Sequence, residues 1–131
     1  IQETNDLETL AESIVHPDES VLVDFMRKWW SDQKVFDFQT SGSTGDPKTI
    51  QLSRELLVHS ARQTLDALKL HSDNTNYHLL LCISPKFIGG AMVFVRAWLL
   101  DCHLKVLPPT TDFHPIKENL DLTSLVPLQV E

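Results

Sequence analysis

The residues best suited to chemistry lie in one short stretch, Thr40-Ser41-Gly42-Ser43-Thr44-Gly45-Asp46-Pro47-Lys48. Gly42 and Gly45 permit positive φ and let the chain come close to a ligand. Ser41, Ser43 and Thr44 supply hydroxyl donors, and Lys48 adds a cation just beyond the turn. Small donors on a pliable backbone beside a fixed positive charge suit a phosphate group. The spacing does not match a Walker A loop, because Pro47 stands where its second Gly would be. Nor does it match the dinucleotide fingerprint, whose glycines follow a strand and open a helix. Here the stretch leads into another alternating segment. On composition alone, a Ser/Gly-rich hairpin turn without a ligand is the competing account.

The flanking elements make that loop the tip of a hairpin. Val35 to Thr40 alternates apolar and polar residues, as does Lys48 to Ser53, and each reads as a strand. Before them, Leu22, Phe25, Met26 and Trp29 recur at helical spacing behind Pro17, which suits a first helical turn. Trp29 and Trp30 read as packing residues. The first fifteen residues are at most a weak helix. Ser53 is a candidate N-cap for a helix with the stripe Leu57, Ala61, Leu65 and Leu68. Arg54, Glu55, Arg62, Asp66 and Lys69 read as its solvated face. Leu79-Leu80-Leu81-Cys82-Ile83 does not alternate, as expected of a strand covered on both faces. A buried helix over Ile88 to Leu100, a strand over Leu104 to Leu107, a helical turn over Pro115 to Asn119 and a strand over Leu122 to Val126 complete the pattern. Strand, helix, strand predicts parallel crossovers and an α/β fold.

Composition narrows the function classes. The chain has 131 residues, 18 acidic against 11 Lys plus Arg, and a formal charge of −7 at pH 7. That balance argues against a nucleic-acid partner, which needs a basic face. It does not argue against phosphate at one site, where backbone N–H groups suffice. No run of about 18 apolar residues is present to span a membrane. Cys82 and Cys102 sit among apolar neighbours and read as reduced thiols, which fits a cytoplasmic protein. Six His, at 16, 59, 71, 78, 103 and 114, form no metal-ligand spacing. The pairs Glu8/Glu12 and Asp18/Glu19 give no sign of acid–base chemistry, and Asp46 before Pro47 reads as a turn former. No metal site is expected.

Thr40-Ser-Gly-Ser-Thr-Gly-Asp-Pro-Lys48 resembles the phosphate loop of the adenylate-forming, AMP-binding enzymes: acyl-CoA synthetases, luciferase-like ligases and peptide-synthetase adenylation domains. Downstream, Ser84-Pro-Lys-Phe-Ile-Gly-Gly90 followed by Arg96 is similar to a segment of o-succinylbenzoate–CoA ligases, the enzymes of menaquinone synthesis. Ser124-Leu-Val-Pro127 resembles a later strand that ends in Val-Pro before a helix. The resemblance runs from about Val35 to Val130, nearly three quarters of the chain. It implies carboxylate adenylation by ATP followed by transfer to CoA. It assigns phosphate contacts to Ser41, Gly42, Ser43, Thr44 and Gly45, with Thr40 at the loop's start and Lys48 supporting it. Phe87, Gly89 and Gly90 would wall the acyl pocket, and Arg96 would meet the acid, since a guanidinium fork pairs well with a carboxylate. The alternatives are a snorkelling helix Arg and a helix end packed tightly on a strand. Phe87 stands where many members carry His.

The resemblance also implies what is not in these residues. The family's Mg²⁺-binding Thr-Glu segment, its ribose-binding Asp and the catalytic Lys of its lid have no counterpart here, so no catalytic residue is expected. The chain begins at Ile1 and ends in an apolar run. It is therefore read as an N-terminal piece of the large AMP-binding domain, with a leading helix in 15–34, a loop-bearing hairpin in 35–53, an α/β part in 54–131 and no lid domain. Such a piece is expected to be inactive alone, to hold no ATP, Mg²⁺ or CoA tightly, and to dimerise through its cut edge. The other readings are a ligase for another small aryl or fatty acid, a non-catalytic phosphate- or nucleotide-binding module, and an interaction domain with an incidental Ser/Gly turn.

Overall fold

The structure, a computed structural model, describes residues 17–40, 45–73 and 76–130. The weak helix expected in the first fifteen residues, and Ser41 to Thr44 of the loop, lie outside the described residues. Helix α1 (Pro17–Trp30) opens at the proline, within the segment expected to hold a leading helix. It buries Leu22, Phe25, Met26 and Trp29, the stripe its spacing predicts. Strands β1 (Val35–Gln39) and β2 (Thr49–Ser53) form the expected antiparallel hairpin, in register from Val35 opposite Ser53 to Gln39 opposite Thr49. Phe36 and Phe38 point inward and are almost fully buried, while Val35, Asp37 and Gln39 face out.

Ser53 caps helix α2 (Arg54–Ala67), its hydroxyl accepting from the Leu56 N–H at 3.1 Å. Leu57, Ala61 and Leu65 are buried, but Leu68 is not part of the stripe. It is the C-cap, half exposed, because the chain leaves helical geometry there and Lys69 takes a positive φ of 56°. Arg54 departs from the expected solvated face. Its guanidinium carbon sits 4.4 Å from the Trp29 ring centroid, and Nε donates to the Gln33 carbonyl at 3.0 Å. It roofs the aromatic core as a cation over π faces. Burial lowers its pKa, with Asp32 acting in the opposite sense.

The second half is a three-stranded parallel sheet of order β4-β3-β5, built from β3 (His78–Leu81), β4 (His103–Val106) and β5 (Leu122–Thr123). Central β3 is flanked on both edges, and Leu79, Leu80 and Leu81 are each no more than 1% exposed, which explains the unalternating run. Helix α3 (Ile88–Leu100) crosses from β3 to β4 and is buried along most of its length. Two expectations are corrected. Residues 115–119 form no helical turn: the Lys117 N–H donates to the Glu118 side chain at 3.1 Å, and Lys105 holds that carboxylate. The strand expected over Leu122 to Val126 pairs only at Leu122 and Thr123. Beyond it the Val126 N–H donates to the Gln129 side chain at 2.9 Å, and a single helical turn, α4 (Pro127–Val130), follows.

One aromatic cluster joins the hairpin to the parallel sheet. Phe25 and Trp29 of α1 lie against Phe36 of β1, with centroids 5.4 and 5.5 Å apart, and against Phe94 of α3, at 5.6 and 6.1 Å. Helix α3 is held to the end of β3 just as closely by a missing side chain. A Cβ on Gly90 would lie 2.4 Å from the Ile83 carbonyl oxygen and 2.5 Å from that of Ser84. Backbone cannot yield as a side-chain tip can, so Gly90→Ala should lower unfolding free energy by about 1–3 kcal/mol in a denaturant titration. Gly89→Ala, whose Cβ would meet only Ile83 Cδ1 at 3.9 Å, should cost far less.

Candidate functional site

The carboxyl ends of the three parallel strands open into a cavity of about 1030 Å³. Cys82, Ile83 and Ser84 follow β3, Pro109 to Thr111 follow β4, and Ser124 to Val126 follow β5. The hairpin closes the other side with Gln39, Thr40 and Ile50. In open α/β sheets this is the position where ligands bind, outside the strand ends. The loop and the sheet meet here directly: the Gln39 N–H donates to the Lys86 carbonyl at 2.9 Å.

Thr40 fastens the base of the Ser/Thr/Gly loop. Its N–H donates to the Lys48 carbonyl at 2.8 Å, and its Oγ1 accepts from the Lys48 N–H at 3.1 Å. Lys48 is exposed beside it. Gly45 has φ of +155°, a conformation that L side chains rarely adopt, with open space around it. The described part of the loop therefore fits a phosphate group: its neck is pinned, a cation stands at its base, and a glycine bends it. Ser41, Gly42, Ser43 and Thr44 lie outside the described residues.

Of the residues expected at an acyl pocket, Phe87 and Gly89 line the cavity. Gly90 lies beneath, in the role of a packing glycine. Arg96 does not line the cavity. It stands one layer behind, with Nη1 3.4 Å from Ser124 Oγ and Nη2 3.5 Å from Thr64 Oγ1. Ser124 itself faces the cavity. Both contacts are long, Nε is buried with no partner, and burial lowers the pKa of the guanidinium. Among the described residues, Arg96 makes no ion pair.

Several lining residues carry no role in the sequence reading. Gln129 ties the three strand ends together: its Nε2 donates to the carbonyls of Cys82 at 3.2 Å and Thr110 at 2.8 Å, while its Oε1 accepts from Val126 N–H. A pattern search could place Gln129 after the Val-Pro step, but its partners are 47 and 19 residues away. Ser84 and Lys86 also line the cavity, inside the segment that carries the resemblance.

The remaining polar groups lie elsewhere. His78 and His103 stack at 4.8 Å where β3 and β4 begin, at the end of the sheet opposite the cavity. Cys102 is half-buried near them. Burial, then Asp121 and Asp101, pushes its thiol up to about 11, and both cysteines are free. Among the described residues no group of three or more His, Cys, Asp or Glu could hold a metal ion, and no helix is long and apolar enough to cross a membrane.

The chain is similar to a solved structure from Dyadobacter fermentans DSM 18053, an acyl-CoA synthetase (AMP-forming)/AMP-acid ligase II-like protein. The two are 34% identical with a TM-score of 0.77, over 93% of this chain and 35% of that one. This chain thus spans about a third of that protein's length. No protein-family model matches the chain, and no curated protein matches it. The fold is α/β, a loop-bearing hairpin followed by parallel β-α-β units, and it matches part of an AMP-binding enzyme's domain. Fold and likeness together support the AMP-forming acid-ligase superfamily.

The cavity wall depends on the donors of Gln129. Gln129→Leu strands two carbonyls and an N–H, so the denaturation midpoint should fall by the equivalent of about 1–3 kcal/mol. Gln129→Glu, which keeps the acceptor for Val126 but loses both donors, should fall similarly.

Proposed function

We propose that this chain forms part of an AMP-forming acid–CoA ligase, most like o-succinylbenzoate–CoA ligase of menaquinone synthesis. One observation carries the reading: Thr40, which pins the loop, and the ends of three parallel strands line a single cavity. A substrate there would meet phosphate donors on one side and an apolar wall on the other. In the proposed reaction a carboxylate oxygen attacks the α-phosphorus of ATP, and pyrophosphate leaves with the bonding pair. The CoA thiol then attacks the acyl carbonyl, loses its proton and expels AMP.

Ser41, Gly42, Ser43, Thr44 and Gly45 are proposed to donate to the β- and γ-phosphates, with Thr40 and Lys48 holding the loop in place. Preorganised donors stabilise charge that grows on the departing pyrophosphate. Phe87 and Gly89 would bound the acyl group, Gly90 would seat α3 against the sheet, and Arg96 would add positive potential from behind Ser124. The partners are a carboxylic acid, ATP and CoA, all available in the cytoplasm, the proposed compartment. Mg²⁺ would be held by residues beyond those described here. The motifs assigned to metal, ribose and lid are not among these 131 residues, so this stretch alone is proposed to be inactive.

Acid-dependent pyrophosphate release by the full-length protein tests the reading. Thr44→Ala with Gly45→Ala should lower kcat/KM by about 10²–10³, the scale of losing transition-state donors. Unchanged turnover would make the Ser/Gly turn incidental, and nucleotide binding without pyrophosphate release would point to a non-catalytic module. Arg96→Leu removes a half-buried charge that lacks a counter-ion, so Tm should hold or rise. KM for o-succinylbenzoate should rise severalfold; an unmoved KM would leave Arg96 a packing residue.

A further inference from the structure

The cavity has one positive pole. Helix α3 is 13 residues long, and Phe87, Ile88 and Gly89 at its amino end line the cavity. Phe87 takes the N-cap position in an extended conformation and makes no side-chain capping bond. Among the described residues the N–H groups of Ile88 and Gly89 have no protein acceptor. Such an end presents unsatisfied donors and the positive end of the helix dipole.

A second feature converges on the same place. Ser84 lines the cavity, is only 4% exposed, and its Oγ has no hydrogen-bond partner. A buried hydroxyl left unpaired is costly, which points to a missing partner. Lys86 stands exposed at the wall, with Nζ 5.1 Å from the Phe87 ring centroid. Its backbone is fixed, because its carbonyl accepts from Gln39 N–H. No Asp or Glu lines the cavity, and Lys86 is the charged residue of the described lining. In a chain of net charge −7, that is a local reversal of sign.

We infer that Ser84, Lys86 and the amino end of α3 form a subsite for a second, unreacting carboxylate of the acid substrate. This deepens the acid-ligase reading and rests on it. A carboxylate bound by N–H groups, a hydroxyl and an ammonium has its lone pairs engaged and its charge balanced, so it is a poor nucleophile. The subsite therefore suits an anchor, leaving the substrate's other carboxylate to react at the phosphate loop. Ile83, Ile88, Leu125, Val126 and Leu128 surround the pole with hydrocarbon, which suits an aryl or alkyl body between the two carboxylates. Ser84 and Lys86 are thus specificity residues for a dicarboxylic acid.

The test is an NMR titration of the ¹⁵N-labelled protein with three probes: o-succinylbenzoate, 4-phenyl-4-oxobutanoate, which lacks the ring carboxylate, and inorganic pyrophosphate. The dicarboxylate should move the Ile88 and Gly89 amide signals saturably, and the monocarboxylate should bind at least about tenfold more weakly, as expected for a lost charge-assisted hydrogen bond. Lys86→Met and Ser84→Ala should each weaken the dicarboxylate severalfold and narrow the gap between the two acids. Ser84→Ala removes an unpaired buried hydroxyl, so its Tm should hold or rise while binding falls. Equal affinity for the two acids, absence of shifts, or pyrophosphate moving these amides at lower concentration would each overturn the subsite. Binding is read without turnover, so the two levels separate. Acid-dependent pyrophosphate release with no discrimination at α3 sinks the subsite alone, and no such release with any acid sinks the ligase reading.

Discussion

The hairpin and the parallel sheet share no strand, so their relative position rests on the aromatic contacts between them. Phe25 and Trp29 reach across from α1 to Phe36 on β1 and Phe94 on α3, with edge-on and tilted rings. Each such pair adds about 0.5–1.5 kcal/mol beyond the area it buries, and its geometry resists sliding. Arg54 covers the outer face of the cluster and donates to carbonyls of Lys28, Ser31 and Gln33, closing the turn between α1 and β1. Without this joint Thr40 would have no fixed relation to the strand ends. The Gln39-to-Lys86 hydrogen bond is then a final adjustment rather than the tether.

The cavity depends on a second constraint, which is where the parallel strands stop. β5 pairs for only two residues, and the ladder gives way to side-chain bonds. Thr123 Oγ1 donates to the Leu80 carbonyl at 2.9 Å, and Gln129 takes up the Cys82 and Thr110 carbonyls. These bonds satisfy backbone groups that a longer strand would have paired, and so allow the chain to splay away from β3. A strand continued to Val126 would fill the space that the cavity occupies. The early end of β5 is therefore part of the site.

Local pattern carried much of this arrangement into view. Alternation at Val35 to Gln39, the Ser53 cap and the apolar run at Leu79 each have a cause within a few residues, and each element forms where its pattern predicts. Arg54 misled because its period placed it on an outward face, whereas its long side chain folds back over Trp29, twenty-five residues earlier. Residues 115–119 misled because Glu118 bonds to a backbone N–H under the pull of Lys105, a partner fixed by the sheet. At the site, residue type pointed to Thr40, Gly45 and Lys48. It could not reveal Gln129 or the open donors of Ser84, since a bond made or left unmade between distant segments has no periodic trace. Arg96 was legible as a cation on a buried helix; its place behind Ser124 was not.

Charge at the cavity is best understood against the whole chain. The acidic residues that give a net charge of −7 face solvent or pair with surface cations, as Asp24 does with Lys28 and Glu118 with Lys105. Exposed pairs of this kind are screened and contribute little to stability. Inside the cavity the walls are largely hydrocarbon, so the effective dielectric is lower and each donor acts over a longer range. Lys86, the amino end of α3 and, one layer back, the unpaired Arg96 then set a positive potential that the surface acids do not cancel. Their arrangement is also vectorial. The helix end and Lys86 lie on the sheet side, Lys48 on the hairpin side, and an anionic group entering between them meets donors from both directions. The same geometry that separates hairpin from sheet thus separates two anion-binding poles across one apolar floor.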